Sequence, residues 1–256
     1  MSPLAPQQQY RTIIIVGGGC YGSYYLRQLG RASRAGVLAA ERVIVVDRDQ
    51  HCRVAGELEA ASPLHAELAI EEWSSYFDGY LGAAALRAPG DAARASDAIV
   101  PSPLMPHLMY EWLVRRARAR WPARAVETRP LEAPSGIPWQ RRGEEGTQYV
   151  SFAEWICPVN CIEPALCPAT RGERSWSMPP AVVAATHEAR RNGRNLAGPV
   201  IFHCQHRVYG VGMFDTSDVL AGDVLVQQAA ATGAVEVLVG TVSHCHGALS
   251  VLSLGD

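Results

Sequence analysis

Residues 12–16 read TIIIV and are followed directly by GGGCYG at 17–22. A run of β-branched apolar residues with no polar alternation predicts a strand covered on both faces. Three glycines spaced Gly17-x-Gly19-x-x-Gly22 predict a tight turn into a helix over residues 23–30. Residues 42–47, RVIVVD, predict a second buried strand that ends on the carboxylate of Asp47. Strand, glycine turn, helix and strand with an acidic end leave little choice: this part of the chain folds as a βαβ unit with parallel strands.

The same alternation recurs further on. Residues 98–100 predict a short strand running into Pro101-Ser102-Pro103, and residues 106–120 a helix with proline in its first turn. Residues 67–81 predict a helix, 147–156 a strand, 181–191 a helix and 199–204 a strand. A helix over 218–232, capped by Asp215, Thr216 or Ser217, and a strand over 235–243 follow. Residues 130–146, rich in Pro, Gly and charge, predict an exposed loop. The expected fold class is therefore α/β, with one doubly wound, mostly parallel sheet in a single domain over 1–256. A Cys/Pro-rich loop insertion at 130–180 interrupts it, with too little apolar periodicity for a second core.

In the glycine turn the first glycine permits the bend, the second lets the backbone approach a pyrophosphate, and the third lets helix and strand pack closely. The helix N-terminus supplies N–H groups and partial positive charge for phosphate. With these residues the segment 11–49 resembles the NAD(P)-binding Rossmann-fold superfamily. The resemblance implies a Rossmann-like fold and a dinucleotide cofactor, NAD, held by Gly17, Gly19, Gly22 and Asp47. A carboxylate at 47 would repel a 2′-phosphate and favour NAD, whereas Arg48 could accept that phosphate and leaves NADP open. No lysine occurs among the 23 basic residues; all are arginine. This excludes lysine Schiff-base chemistry and a phosphate-loop lysine, and backbone phosphate binding needs neither.

The most unusual stretch is Cys157-Pro-x-x-Cys161-x-Glu-Pro-x-x-Cys167-Pro. Its spacing matches neither ferredoxin runs nor zinc knuckles, although cysteine followed by proline also closes ferredoxin cysteine runs. Three thiolates need a further ligand for tetrahedral zinc or an iron–sulfur cluster. Candidates lie in His203-Cys204-Gln-His206 and His244-Cys245-His246, both at expected strand ends, where open α/β sheets bind ligands. Alternation pairs Cys204 with His206 and His244 with His246. The metal set expected is Cys157, Cys161, Cys167, His203, Cys204, His206, His244 and His246. Glu163 is a further ligand or proton-relay candidate.

Net charge is −2, so no strong field steers the chain to nucleic acid. The arginines at 115–124 read as a solvated helix face. No apolar run reaches membrane-spanning length and residues 1–11 do not resemble a signal peptide, so a cytoplasmic protein without membrane insertion is expected. Seven cysteines, an odd number, argue against a full disulfide framework. The expected function is an NAD-binding redox protein carrying a metal or iron–sulfur centre, an oxidoreductase whose small-molecule or redox partner is unspecified and which could form an oligomer. The alternatives are an NAD-sensing regulatory subunit and a metal-handling or cluster-assembly protein.

Overall fold

A computed structural model describes residues 8–86, 97–157, 161–231 and 233–255. Pro158, the proline after Cys157, and Thr232, the expected end of a helix, lie outside the described residues, as do residues 1–7 of the N-terminal stretch. The chain divides into two compact units. The first comprises residues 1–105 and 205–217, and the second 106–204 and 218–256.

In the first unit the TIIIV run forms the second half of β1 (Gln8–Val16), with Ile13, Ile14 and Ile15 fully buried. The chain turns through Gly17–Gly19 into helix α1 (Cys20–Arg34) and returns as β2 (Leu38–Asp47), parallel to β1 with Ile14 opposite Ile44. Leu26, Leu29 and Ala32 of α1 join Ile13, Ile15, Val43 and Val45 in one apolar cluster, so the helix buries its face on the strands it connects. Residues 66–70 form strand β3 (Ala66–Ile70), parallel to β2, and helix α2 (Trp73–Ala85) begins only after it. The helix expected over 67–81 is thus a strand followed by a helix; the strand is a partly exposed sheet edge, so its ELAI sequence carries no apolar run.

Strand β4 (Asp97–Val100) pairs parallel with β1, and all four of its residues are buried. Strands β9 (Gln205–Val208) and β10 (Val211–Asp215) close this sheet in the order β3-β2-β1-β4-β10-β9, with β10 antiparallel to β4. Tyr209 and Gly210 join them with φ of 43° and 77°, the positive angles a two-residue hairpin of matching twist requires.

The second unit carries a different sheet, β6-β7-β12-β11-β8, with β5 also pairing β12. Strands β8 (Leu196–His203) and β11 (Val235–Val242) are parallel, whereas β12 (His246–Leu254) returns antiparallel to β11. Strands β5 (Val126–Arg129), β6 (Trp139–Arg142) and β7 (Gln148–Ser151) complete it, all in antiparallel pairs. The α/β class is as expected. The strands at the two ends of the chain, however, lie in two sheets, one in each compact unit, and not in one doubly wound sheet.

Residues 130–146 are not wholly an exposed loop. Leu131 and Ile137 are buried with Val150 beside Met178, Val182, Leu238 and Leu249. Helix α3 (Leu108–Arg120) buries Trp112 and Leu113. Helix α4 (Met178–Arg191) begins with Pro179 and Pro180 in its first turn, where the missing N–H groups cost nothing. Helix α5 (Thr216–Ala230) starts where the chain passes from the first unit into the second. No described helix is long and apolar enough to cross a membrane.

Candidate functional site

The glycine turn of the first unit is built from both sides. Gly17 has φ of +88°, a conformation a residue with a Cβ rarely adopts. A Cβ on Gly22 would stand 1.9 Å from the Gly17 carbonyl oxygen, so only glycine lets α1 seat this close to β1. Gly18, which the x of the spacing leaves unspecified, is equally constrained: a Cβ there would lie 2.3 Å from the Cys52 sulfur. Its N–H donates to Asp47 Oδ2 at 2.7 Å and its carbonyl accepts from Val54 N–H at 2.9 Å.

Asp47 also accepts the Asp49 N–H through Oδ1 at 2.9 Å. Each carboxylate oxygen retains acceptor capacity beyond that bond. Gly19 is the N-cap of α1, exposed, without a side-chain cap, and no acidic residue occupies the first turn. A Cβ at Gly19 would meet no atom of the described residues within 4 Å. The turn therefore offers uncapped N–H groups beside an open face, with the Asp47 carboxylate tied to the same loop. Gly17, Gly19, Gly22 and Asp47 are brought together. Arg48 pairs with Glu72 at 3.2 Å on the exposed surface.

In the second unit the strand ends carrying histidine and cysteine lie side by side. His203 is opposite Val242 across the parallel β8–β11 pair, and the Cys204 N–H donates to the Val242 carbonyl at 2.7 Å. The His203 and His244 rings are 6.5 Å apart. The alternation expected for the two runs does not persist. Cys204 ends the β8 segment, whereas His206 stands on β9 of the first unit opposite Gly212, its Nδ1 buried without a hydrogen-bond partner among the described residues. Ser243, His244 and Cys245 form the reversal between β11 and β12, where the Ser243 N–H donates to the His246 carbonyl at 2.8 Å. His246 turns to Ser151, with Nδ1 2.9 Å from Oγ, and lines a cavity of about 330 Å³ with Trp139, Arg141 and Tyr149.

The cysteine segment packs against that reversal. Glu163 is left-handed, with φ of 48°. Its carboxylate accepts the Ser243 hydroxyl at 2.7 Å, the His244 N–H at 3.0 Å and the Cys245 N–H at 3.2 Å. Its own N–H points to the Cys161 sulfur at 3.4 Å. Cys245 is buried and its sulfur accepts the Trp176 Nε1–H at 3.3 Å. Burial pushes the Cys245 thiol up to about 11, the Trp176 N–H opposes this, and the neighbouring Glu163 and Cys157 charges add to it. Burial also raises Cys157, helped by Cys161 and Cys167, with the Trp155 N–H acting against it. Backbone N–H groups of Thr170 and Ala169 pull the Cys167 thiol down against its burial.

Cys157, Cys161 and Cys167 thus share their surroundings with Cys245, a residue the histidine-centred reading passes over. Among the described residues, no group of three or more His, Cys, Asp or Glu side chains is arranged to hold a metal ion. The Trp155 N–H faces the Cys157 thiol, and one buried donor of this region, Arg174 Nε, has no hydrogen-bond partner among the described residues. Buried N–H groups beside thiols fit an anionic sulfur centre, whose charge they would offset.

Comparison with known proteins adds little chemistry. The chain matches none of the curated proteins. Among solved structures, the ishigamide ketosynthase/chain length factor aligns over 99% of this chain and 75% of that chain, with 13% identity and a TM-score of 0.25, a likeness too slight to carry an argument. Residues 109–255, more than half of the chain, match the family AF_1314_C, described as an uncharacterized protein's C-terminal domain, and the chain belongs to that family.

Proposed function

We propose that the protein is a dinucleotide-binding redox protein, an oxidoreductase using NAD, whose second unit carries a thiolate-bound metal or iron–sulfur centre. The observation that carries the reading is the glycine turn, open at Gly19, closed at Gly22 and tied through the Gly18 N–H to Asp47. The strand order β3-β2-β1-β4, all parallel, supports a Rossmann-like first unit. Bound NAD would supply a hydride acceptor. The residues of the chain do the rest: the first turn of α1 receives the pyrophosphate on its N–H groups, and Asp47 accepts from ribose hydroxyls. Cys157, Cys161, Cys167 and Cys245 of the second unit support the metal part of the reading.

Gly19→Val tests the dinucleotide part. A Cβ there would meet no described atom within 4 Å, so the variant is expected to fold while its side chain blocks the phosphate approach. Calorimetric titration of NADH is expected to show binding to the wild type and at least about tenfold weaker binding to the variant, a loss of about 1.4 kcal/mol. Equal affinity in both proteins, or no binding to the wild type, would refute the reading.

A further inference from the structure

We infer that Cys245, and not a histidine, is the fourth ligand of a tetrathiolate soft-metal site formed with Cys157, Cys161 and Cys167, and that Glu163 positions it. The inference rests on the proposed metal centre and specifies its ligands. Cys245 is anchored in the second sheet. It sits in the β11–β12 reversal, its carbonyl accepts the Phe152 N–H at 2.9 Å, and the adjoining His244 carbonyl accepts the Met178 N–H at 2.9 Å. Glu163 links this fixed point to the cysteine segment, touching the Cys161 sulfur with its N–H and the Cys245 backbone with its carboxylate. Cys167 is fixed in turn. Its N–H donates to the Gly172 carbonyl at 2.9 Å, its carbonyl accepts the Arg171 N–H at 2.8 Å, and the Arg174 guanidinium donates to the Pro164 carbonyl.

The surrounding donors match sulfur ligands. Trp176 already donates to the Cys245 sulfur, the Trp155 N–H faces the Cys157 thiol, and Arg174 Nε is buried without a partner among the described residues. A centre of four thiolates around a divalent ion carries two net negative charges, which these N–H groups and the Arg174 cation would stabilise. The histidine nearest in sequence on β12, His246, is instead held by Ser151. Binding would draw the thiols of the cysteine segment onto Cys245 and release their protons.

The test titrates the metal-free, reduced full chain with Co²⁺ under anaerobic conditions, reading the sulfur-to-cobalt charge-transfer and ligand-field bands, and then displaces Co²⁺ with Zn²⁺. The wild type should bind one equivalent with a spectrum of four thiolates around tetrahedral cobalt. Cys245→Ser should bind at least about tenfold more weakly and lose charge-transfer intensity, whereas His203→Ala, His244→Ala and His246→Ala should match the wild type. Cys245→His, which restores a ligand, should recover binding with a three-sulfur spectrum, a result that loss of folding could not give. A three-sulfur spectrum in the wild type, or loss of binding in a histidine variant with retention in Cys245→Ser, would overturn this ligand assignment and leave the metal centre standing. Absence of binding to the wild type, both for Co²⁺ and after reconstitution with iron and sulfide, would overturn the metal centre itself and the assignment with it.

Discussion

Replacement of Gly18 by alanine probes how tightly the glycine turn is built. The backbone of Gly18 is not in the left-handed region, so the cost is steric. The new Cβ would stand 2.3 Å from the Cys52 sulfur and 3.1 Å from its Cβ, against an ordinary contact of about 3.5–4 Å. Cys52 is buried in the apolar cluster of the first unit, so its sulfur or the turn must shift to make room. Overpacking of this kind costs about 1–3 kcal/mol, and a value of about 2 kcal/mol would lower the melting temperature by roughly 4–8 °C for a chain of this size. Cys52→Ala alone, which removes one buried sulfur, should cost about 1 kcal/mol. In the double variant the offending sulfur is gone and only the 3.1 Å approach to the Cβ of residue 52 remains, so the two losses should not add, leaving a coupling of about 1–2 kcal/mol between the positions. Urea and thermal unfolding of the four proteins measure this directly. If Gly18→Ala lies within about 0.5 kcal/mol of the wild type, or if the two losses simply add, then the turn is looser than described and the account of Gly18 fails.

Two further outcomes follow from particular side chains. His107 is fully buried, stacked on Tyr110 and in contact with the Thr241 hydroxyl, and burial pushes its imidazole down to about 3. The unfolded chain then binds the proton more readily, so this stability is complete above pH 6.5 and is lost towards pH 3, by at most about 1.4 kcal/mol per pH unit. Unfolding measured between pH 6.5 and 5 should show a slope that His107→Phe flattens; an unchanged slope would assign the effect elsewhere. For Glu163→Gln, the anionic acceptor of the Ser243, His244 and Cys245 donors becomes a neutral amide. Zinc affinity should fall about 10–100-fold with NADH binding unchanged, and competition against a chromophoric chelator would detect the absence of any change.

The first unit was readable because parallel strands buried on both faces leave uninterrupted apolar runs. TIIIV and VIVV carry that mark, and Gly22 carries the close approach of helix to strand. Strand β3 escaped because an edge strand of Ala, Glu, Leu and Ile has no such run and uses good helix formers. The β9–β10 hairpin escaped because Tyr209-Gly210 lacks the usual Asn-Gly or Asp-Gly signal; the Tyr209 ring is instead covered by Arg31, 5.6 Å away. In the candidate site, the three loop cysteines were visible as a cluster in sequence. Cys245 was not, because nothing in a His-Cys-His run announces a chain reversal, and alternation along a continuous strand drew attention to the histidines on either side of it. Gly18 and Cys52 become partners only through contact in space.

The order of strands has a consequence for synthesis. The strand that comes last along the described chain, β12, lies inside the second sheet, with β5, β7 and β11 as its partners. Until residues 246–254 have left the ribosome, β5 and β7 lack the neighbour to which both bond. The first sheet waits as well, since Ile99 of β4 pairs with Phe214 of β10, emerging only after residues 106–204 of the other unit. The first unit therefore cannot finish folding until residues 106–204 of the second have been made, nor the second until all of the first has been, and a nascent chain carries open strand edges for most of its translation.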